Sequence, residues 1–68
     1  MDRRAKLGIK VRQLRHGRGL TQEELAFAAE IDLTYVGGIE RGRRNPSLSV
    51  MGRIADALGV SLRDLVPD

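Results

Sequence analysis

The side chains with the clearest chemistry in this chain are basic, and they flank an acidic centre. Residues 1 to 20 hold seven Lys or Arg and one acid, residues 21 to 40 hold five acids and no base, and residues 41 to 68 hold five bases and three acids. Guanidinium and ammonium groups bind phosphate oxygens, so a polyanion would be held from the two flanks. The candidate phosphate contacts are Lys10, Arg12, Arg15, Arg18, Arg41, Arg43 and Arg44. For any one of them, an ordinary solvated helix face is about as good an explanation.

Side chains for catalysis or metal binding are scarce. The chain has no cysteine and one histidine, His16, which removes disulfides, thiolate chemistry and cysteine zinc sites. No nucleophile, base and orienting group can be assembled from the sequence, so an enzyme is the least expected class and no metal or cofactor is predicted. No apolar run approaches the roughly 20 residues of a membrane span, and no secretory signal follows the first residues. We expect a soluble, cytoplasmic protein.

Two short helices with their own capping signals form the centre of the chain. Thr21 followed by Glu24 is a capping box, and Asp32 is a second favourable N-cap. These signals predict helices over residues 22–29 and about 33–41, the second of which stops at Gly42, where a left-handed C-cap is tolerated. Two helices joined by so short a turn cross steeply, and such a pair can lay one helix in a groove and brace it with the other. DNA binding is therefore the leading hypothesis.

Helical periodicity extends over the rest of the chain. Apolar residues at helical spacing predict an amphipathic first helix over about residues 4–16, and Pro46–Ser47 predicts the start of a fourth helix. The apolar stripe of that fourth helix consists of Leu48, Met51, Ile54, Ala55 and Leu58. A short fifth helix is predicted to run from Ser61 to a stop at Pro67. The sequence thus predicts one all-α domain over residues 1–68, with a thin core.

Four segments of the chain together resemble a known family. They are Leu20–Ala26, Ile39–Gly42, Pro46–Leu48 and Ile54–Val60. Over about residues 7–66 the chain resembles the lambda repressor-like, Cro and Xre type, helix-turn-helix family. This resemblance implies a compact five-helix DNA-binding domain with its helix-turn-helix at about residues 21–41. It also implies a sequence-specific transcriptional regulator that binds double-stranded DNA as a homodimer on a palindromic operator.

The resemblance has a narrower form within that family. The segment Leu33–Gly42, with Arg44–Asn45 after it and the very short chain, is most similar to the controller proteins of restriction-modification systems. RNA polymerase is a further candidate partner of a regulator of this kind.

The resemblance makes helix three the recognition helix in the major groove. If Val36 and Ile39 are buried, helical geometry turns four other residues outward. They are Leu33, Thr34, Gly37 and Gly38. Thr34 could hydrogen-bond a base edge or a phosphate, and Leu33 could contact a thymine methyl. Tyr35, near the boundary of the two faces, could contact a phosphate or pack, and a mixed role is favoured.

The two glycines of helix three are unfavourable there. Each costs about 0.8 to 1 kcal/mol relative to alanine in a helix interior. Close approach to a duplex is the preferred explanation, with tight helix packing or tolerated weakness as the alternatives. Base recognition would then depend on Thr34, Leu33, Arg44 and DNA shape.

The resemblance also implies supporting roles. It matches Arg15 and Glu40 to a partly buried ion pair between helix one and the end of helix three, and Gln22 to a residue that contacts phosphate or braces the recognition helix. The loop expected beside the DNA backbone contains Arg41, Arg43, Arg44 and Asn45. Arg44 could recognise guanine through two hydrogen bonds. Glu30 replaces the small residue common in the turn, which leaves the turn geometry open.

Apolar residues near the end of the chain predict the two-fold contact of a dimer. They are Val60, Leu62, Leu65 and Val66. Such a dimer would bind half-sites about 34 Å apart, or a multiple of that distance. The alternative function is a protein-binding module, such as an antitoxin or adaptor, which would call for an additional tail or strand to wrap its partner. Membrane-surface binding by helix one is less favoured, because its apolar stripe is needed for the core.

Overall fold

The computed structural model describes residues 2–67. In that range the chain forms four α-helices, α1 (Arg3–Gly17), α2 (Gln22–Ala29), α3 (Leu33–Glu40) and α4 (Leu48–Leu58), and then one 3-10 turn, Leu62–Asp64. Since residues 2–67 form no strand, the predicted all-α class is confirmed. None of the helices in this range is long and apolar enough to cross a membrane. Met1 and Asp68, which belong to the predicted domain, lie outside the described residues.

The prediction of a fifth α-helix is wrong. Ser61 is followed by a single 3-10 turn, in which Asp64 N donates to Ser61 O at 2.9 Å and Leu65 N donates to Leu62 O at 3.0 Å. The Asp64 carboxylate also accepts from Ser61 N at 3.0 Å. Pro67 has no amide to donate and disfavours a helical residue before it, so too few residues follow Ser61 for an α-helix. A tight terminal turn replaces the fifth helix.

The two central helices begin in different ways. Thr21 Oγ1 accepts from Glu24 N at 3.0 Å and Glu24 Oε1 accepts from Thr21 N at 2.8 Å, so the predicted capping box is present. Asp32 occupies the N-cap position of α3, but its carboxylate caps no amide within residues 2–67. The backbone carbonyl of Asp32 already accepts from Tyr35 N at 3.0 Å and from Val36 N at 3.1 Å. Asp32 is therefore the N-cap residue of α3, as predicted, but its side chain makes no capping hydrogen bond.

The turn between α2 and α3 depends on a left-handed residue. Glu30 ends α2 with φ 57° and ψ 46°, and Ile31 N donates back to Ala26 O at 3.0 Å. A residue with a Cβ is disfavoured in this conformation by about 1 kcal/mol or more, whereas glycine is not. Glu30 thus adopts the geometry that a glycine would adopt at this position.

The core lies where the four helices meet. The side chains that are almost completely excluded from solvent are Val11, Leu25, Val36, Ile39, Ile54, Leu58 and Leu65. α1 packs on α3, α2 packs on both α3 and α4, and the terminal turn packs on α4. α3 is therefore supported from two sides, by α1 and by α2, which limits the positions that its exposed face can take.

The start of α4 departs from the prediction in two residues. Ser47 Oγ accepts from Val50 N at 3.2 Å, so serine caps the helix as expected. Pro46 precedes that cap and is buried, so it does not open the first turn. Leu48 is 69% exposed and the part of the stripe that reaches the core begins at Met51, because the first turn of α4 extends beyond the core.

Gly8 sets the distance between α1 and α3. A Cβ at this position would overlap the carbonyl oxygen of Ile39 and would lie 2.6 Å from the carbonyl oxygen of Glu40. Both are backbone atoms, which cannot swing aside as a long side chain can. The bare backbone at Gly8 therefore allows α1 to approach the last turn of α3, a role that no local sequence pattern indicates.

Candidate nucleic-acid interface

α3 exposes its first turn and buries its opposite face. Val36 and Ile39 are each 1% exposed, as the predicted division of the helix requires. Leu33 is 43% exposed, and Thr34 is exposed as well. Tyr35 is half-buried and packs against the core. A methyl-bearing side chain and a hydroxyl therefore stand at neighbouring accessible positions at the start of α3.

Gly37 and Gly38 are covered, although they were predicted to face outward. A Cβ built on Gly37 would lie 2.9 Å from Nη1 of Arg41, and one built on Gly38 would lie 2.6 Å from Cγ of Arg44. Two arginine side chains from the end of α3 and the following loop thus lie over the two glycines. The prediction of a bare glycine surface is wrong, because the chain's own arginines fill the space left by the missing Cβ atoms.

The arginine loop, residues 41–45, follows α3 directly. Gly42 turns the chain with φ +73°, a left-handed value that favours glycine, and Arg43 N closes the helix end by donating to Gly38 O at 2.8 Å. The exposed polar residues of this loop are Arg41, Arg43, Arg44 and Asn45. Their donors suit phosphate oxygens and the acceptor edges of bases.

Arg44 of the arginine loop also lies near the aromatic ring of α3. The Arg44 guanidinium carbon lies 5.9 Å from the centroid of the Tyr35 ring, within the range of a cation–π interaction. Tyr35 therefore packs, as one of its two predicted roles required, and it also supports a cationic side chain of the loop.

A buried hydrogen-bond network holds the end of α3. Arg15 donates to Glu40 through Nε to Oε2 at 2.7 Å and through Nη2 to Oε1 at 3.0 Å. Gln22 Nε2 donates to Glu40 Oε1 at 3.0 Å, and Arg15 Nη1 donates to Leu20 O at 2.8 Å. Among residues 2–67, no buried side-chain nitrogen or oxygen lacks a partner. Of the two roles predicted for Gln22, this contact supports bracing of α3.

Glu40 is charged despite its burial. Its side chain is 3% exposed and that of Arg15 is 9% exposed. Burial would raise the pKa of the Glu40 carboxyl, but hydrogen bonds from Arg15 and Gln22, together with the charges of Arg15 and Arg12, hold that pKa below its ordinary value. The hydrogen bond to Glu40 in turn raises the pKa of Arg15. The pair is therefore ionised at neutral pH and ties α3 to α1.

Two of the predicted phosphate contacts are engaged within the fold. Arg15 is buried and its guanidinium is used by Glu40 and Leu20, so it is wrong as a phosphate contact. Arg18 Nη2 donates to Gly59 O at 3.0 Å, at the C-terminal end of α4. Lys10 and Arg12 are exposed on α1. A shallow depression lies between the end of α1, the start of α2 and Leu33.

The four residues predicted for a dimer contact separate into two groups. Val66 is 54% exposed, and Val60 and Leu62 are half-buried, so all three offer apolar surface. Leu65 is 1% exposed and belongs to the core of its own chain. Its place in the predicted contact is wrong, because the terminal turn folds this side chain inward.

Phe27 is a surface residue for which the sequence predicts no role. It is 88% exposed on α2. The spacing of the buried Leu25, Ala26 and Ala29 is the signal that would have placed it on the outer face. Single exposed apolar side chains are common on protein surfaces, so exposure alone assigns no role to Phe27.

Known proteins share both the sequence and the fold of this chain. The model of the helix-turn-helix family HTH_3 matches residues 11–65. The HTH-type transcriptional regulator DdrOP3 of Deinococcus deserti is 41% identical over 61 residues, which are 90% of this chain and 47% of that protein. The control protein C.BamHI of Bacillus amyloliquefaciens is 47% identical over 60 residues, which are 87% of this chain and 74% of that protein. The chain thus spans about half the length of the first relative and about three quarters of the second.

A solved structure extends the comparison to three dimensions. The restriction-modification controller protein C.AhdI from Aeromonas hydrophila matches with a TM-score of 0.90 and 47% sequence identity. The match covers 91% of this chain and 94% of that chain. The path of the backbone is therefore shared over almost the whole of both chains.

Proposed function

Because the chain belongs to the HTH_3 helix-turn-helix family of DNA-binding transcriptional regulators, we propose that it is the homodimeric controller of a restriction-modification system, acting on a palindromic operator. The observation that carries the proposal is the exposed first turn of α3 beside the arginine loop. The opposite face of α3 is held in place by α1 and α2. The finer assignment rests on the likeness to C.BamHI and C.AhdI, whose names describe controllers.

The proposed contacts follow from what each exposed side chain can do. α3 enters the major groove, where Thr34 hydrogen-bonds a base edge and Leu33 contacts a thymine methyl. Arg44 recognises guanine through two hydrogen bonds. The phosphate contacts come from Arg41, Arg43 and Asn45, with Tyr35 as a further candidate. Gly37 and Gly38 act through the arginines that cover them rather than by touching DNA.

Dimerisation in this proposal uses the apolar surface at the end of the chain. Val60, Leu62 and Val66 of two copies form a self-complementary contact about a two-fold axis. Two α3 helices related by that axis would lie in successive major grooves, which requires half-sites about 34 Å apart or a multiple of that distance. Palindromic DNA is the sequence counterpart of such symmetry. Regulation at the operator would be repressing or activating according to its position, and activation would add RNA polymerase as a partner.

The proposal is tested by selecting bound fragments from random double-stranded DNA and measuring the mass of the protein by sedimentation. We expect palindromic sites with the half-site spacing given above and a dimer at micromolar concentration. A monomer at high micromolar concentration, or bound sites without two-fold symmetry, would contradict the dimeric arrangement. Binding of random and selected DNA with equal affinity would contradict operator recognition itself.

A further inference from the structure

Gly38 lies directly beneath the side chain of Arg44. A Cβ on Gly38 would be 2.6 Å from Cγ, 3.6 Å from Cδ and 3.5 Å from Nε of that arginine. The aliphatic stem of Arg44 therefore runs along the bare backbone of α3 in the space that a side chain would occupy. Gly38 is buried as a result, whereas Arg44 remains exposed.

The far end of Arg44 has its own support. Its guanidinium carbon lies 5.9 Å from the centroid of the Tyr35 ring. Tyr35 and Gly38 are three residues apart on one helix and so are neighbours on its surface. Because Tyr35 also packs against the core, the ring is a fixed platform. The arginine is thus held at its stem by Gly38 and at its head by Tyr35.

We infer that Gly38 is a positioning residue that holds Arg44 across α3 in the conformation in which it meets DNA. This inference rests on the proposed function, in which Arg44 contacts the operator. A side chain that is already ordered loses less conformational freedom on binding. Gly38 therefore raises the affinity for DNA without contacting DNA itself. This role also gives a reason for a glycine in a helix, where glycine is unfavourable.

The neighbouring glycine offers a contrast. At Gly37 the near atom is Nη1 of Arg41, the mobile tip of a side chain, at 2.9 Å, and the next atoms are 3.7 Å away. At Gly38 the near atom is Cγ, close to the backbone of Arg44, so the whole side chain must change its course to admit a methyl group. Alanine at position 37 therefore displaces only the end of the Arg41 side chain, whereas alanine at position 38 fills the space in which the Arg44 side chain lies.

The test uses Gly38→Ala in the full chain, with Gly52→Ala as the matched control. Gly52 lies within α4, and a Cβ built on it has no atom within 4 Å beyond its chain neighbours and the backbone of its own helix. Three quantities are measured: the NMR contact between the Arg44 side chain and the Tyr35 ring in the free protein, the affinity for the selected operator, and Tm. Tyr35 is the single tyrosine, which makes its ring signals simple to assign.

We expect Gly38→Ala to abolish the NMR contact and to weaken operator binding about five- to tenfold, with little change in Tm, because the gain in helix propensity offsets the cost of displacing the Arg44 side chain. In an Arg44→Ala background, the same change should have no further effect on affinity. Gly52→Ala should leave contact and affinity unchanged.

Three results would overturn the inference while leaving the proposed function intact. They are absence of the Arg44–Tyr35 contact in the parent protein, its survival in Gly38→Ala, and a loss of affinity that persists in the Arg44→Ala background. If Arg44→Ala itself binds the operator like the parent, the function proposed for Arg44 fails, and the positioning role fails with it. The NMR contact, measured without DNA, then shows whether the geometry was correct.

Discussion

Arg15 on α1 and Glu40 at the end of α3 are joined by two hydrogen bonds, from Nε to Oε2 at 2.7 Å and from Nη2 to Oε1 at 3.0 Å. The residues are 25 positions apart in the chain. Because both side chains are almost completely excluded from water, each is the main compensation for the other's buried charge. The position of α3 against the core therefore depends on this pair.

Removing one member of the pair should destabilise the fold. Glu40→Ala leaves the Arg15 guanidinium buried without its carboxylate, and we expect a loss of about 3 kcal/mol in the free energy of unfolding, measured by urea denaturation. Glu40→Gln should lose less, because its amide oxygen can still accept from Arg15. Asp56→Ala, on the exposed side of α4, is the control and should change stability by less than about 0.5 kcal/mol. An effect of Glu40→Ala no larger than that of the control would mean that the pair contributes nothing.

The same carboxyl predicts how stability depends on pH. The pKa of Glu40 in the folded protein is lowered from its ordinary value of 4.5, so its contribution is fully present above about pH 5 and is lost as pH falls through the lowered pKa. The stability difference between the parent and Glu40→Gln should therefore be constant near neutrality and should shrink in acid. Denaturation curves of both proteins, collected from pH 7 to pH 3, measure this difference in the free energy of unfolding. Asp2, whose pKa is lowered chiefly by a hydrogen bond from the Ala5 amide, leaves some acid sensitivity in both proteins. A difference that grows toward low pH would contradict the prediction.

Two substitutions test the proposed recognition surface. Arg44→Ala should weaken operator binding by about 1 to 3 kcal/mol while leaving Tm nearly unchanged, because the side chain is exposed. Thr34→Ala should weaken binding more selectively, reducing affinity for the operator more than affinity for random DNA. Arg53→Ala, an exposed arginine of α4, controls for the loss of one positive charge. Fluorescence anisotropy with the operator duplex and with a random duplex gives the ratio of the two affinities for each variant. If both variants bind the operator like the parent protein, the recognition surface lies elsewhere.

The close approach at Gly8 predicts a large difference between two glycines of one helix. Gly8→Ala forces a methyl group against the carbonyl oxygens of Ile39 and Glu40, and overpacking of this kind costs about 1 to 3 kcal/mol. Gly17→Ala, at the end of α1, meets no atom within 4 Å beyond its chain neighbours and the backbone of its own helix, and should leave stability equal or higher. Thermal denaturation of both variants gives the comparison, and equal Tm values would show that α1 can move away from α3 at little cost.

The end of the chain predicts separate effects for two adjacent apolar residues. Val66→Asp places a charge on an exposed position and should shift sedimentation from dimer to monomer with little change in monomer stability. Leu65→Ala removes a fully buried side chain and should cost about 2 to 5 kcal/mol of folding free energy. A Val66→Asp protein that still sediments as a dimer would show that the two-fold contact lies on another surface.

The sequence alone determined those features that depend on neighbours a few residues away. The Thr21–Glu24 capping box, the bounds of α2 and the burial of Val36 and Ile39 follow from helix-start chemistry and from the helical period. The pairing of Glu40 with Arg15, which joins distant parts of the sequence, came instead from the family resemblance, and it is present in the structure. The accessible Thr34 and Leu33 followed from the same division of α3 into two faces.

Only the tertiary structure decided the features that depend on how separate elements meet. Helical periodicity placed Gly37 and Gly38 on the outer face of α3, but the path of the arginine loop covers them with Arg41 and Arg44. The closeness of α1 to α3 left no room for a side chain at position 8, and the short turn before Pro67 folded Leu65 into the core and left Val66 outside. Local sequence patterns predict hydrogen bonds and side-chain spacing within a few helical turns. These contacts instead depend on the paths of loops and on the distances between helices, and no single segment of the sequence determines them.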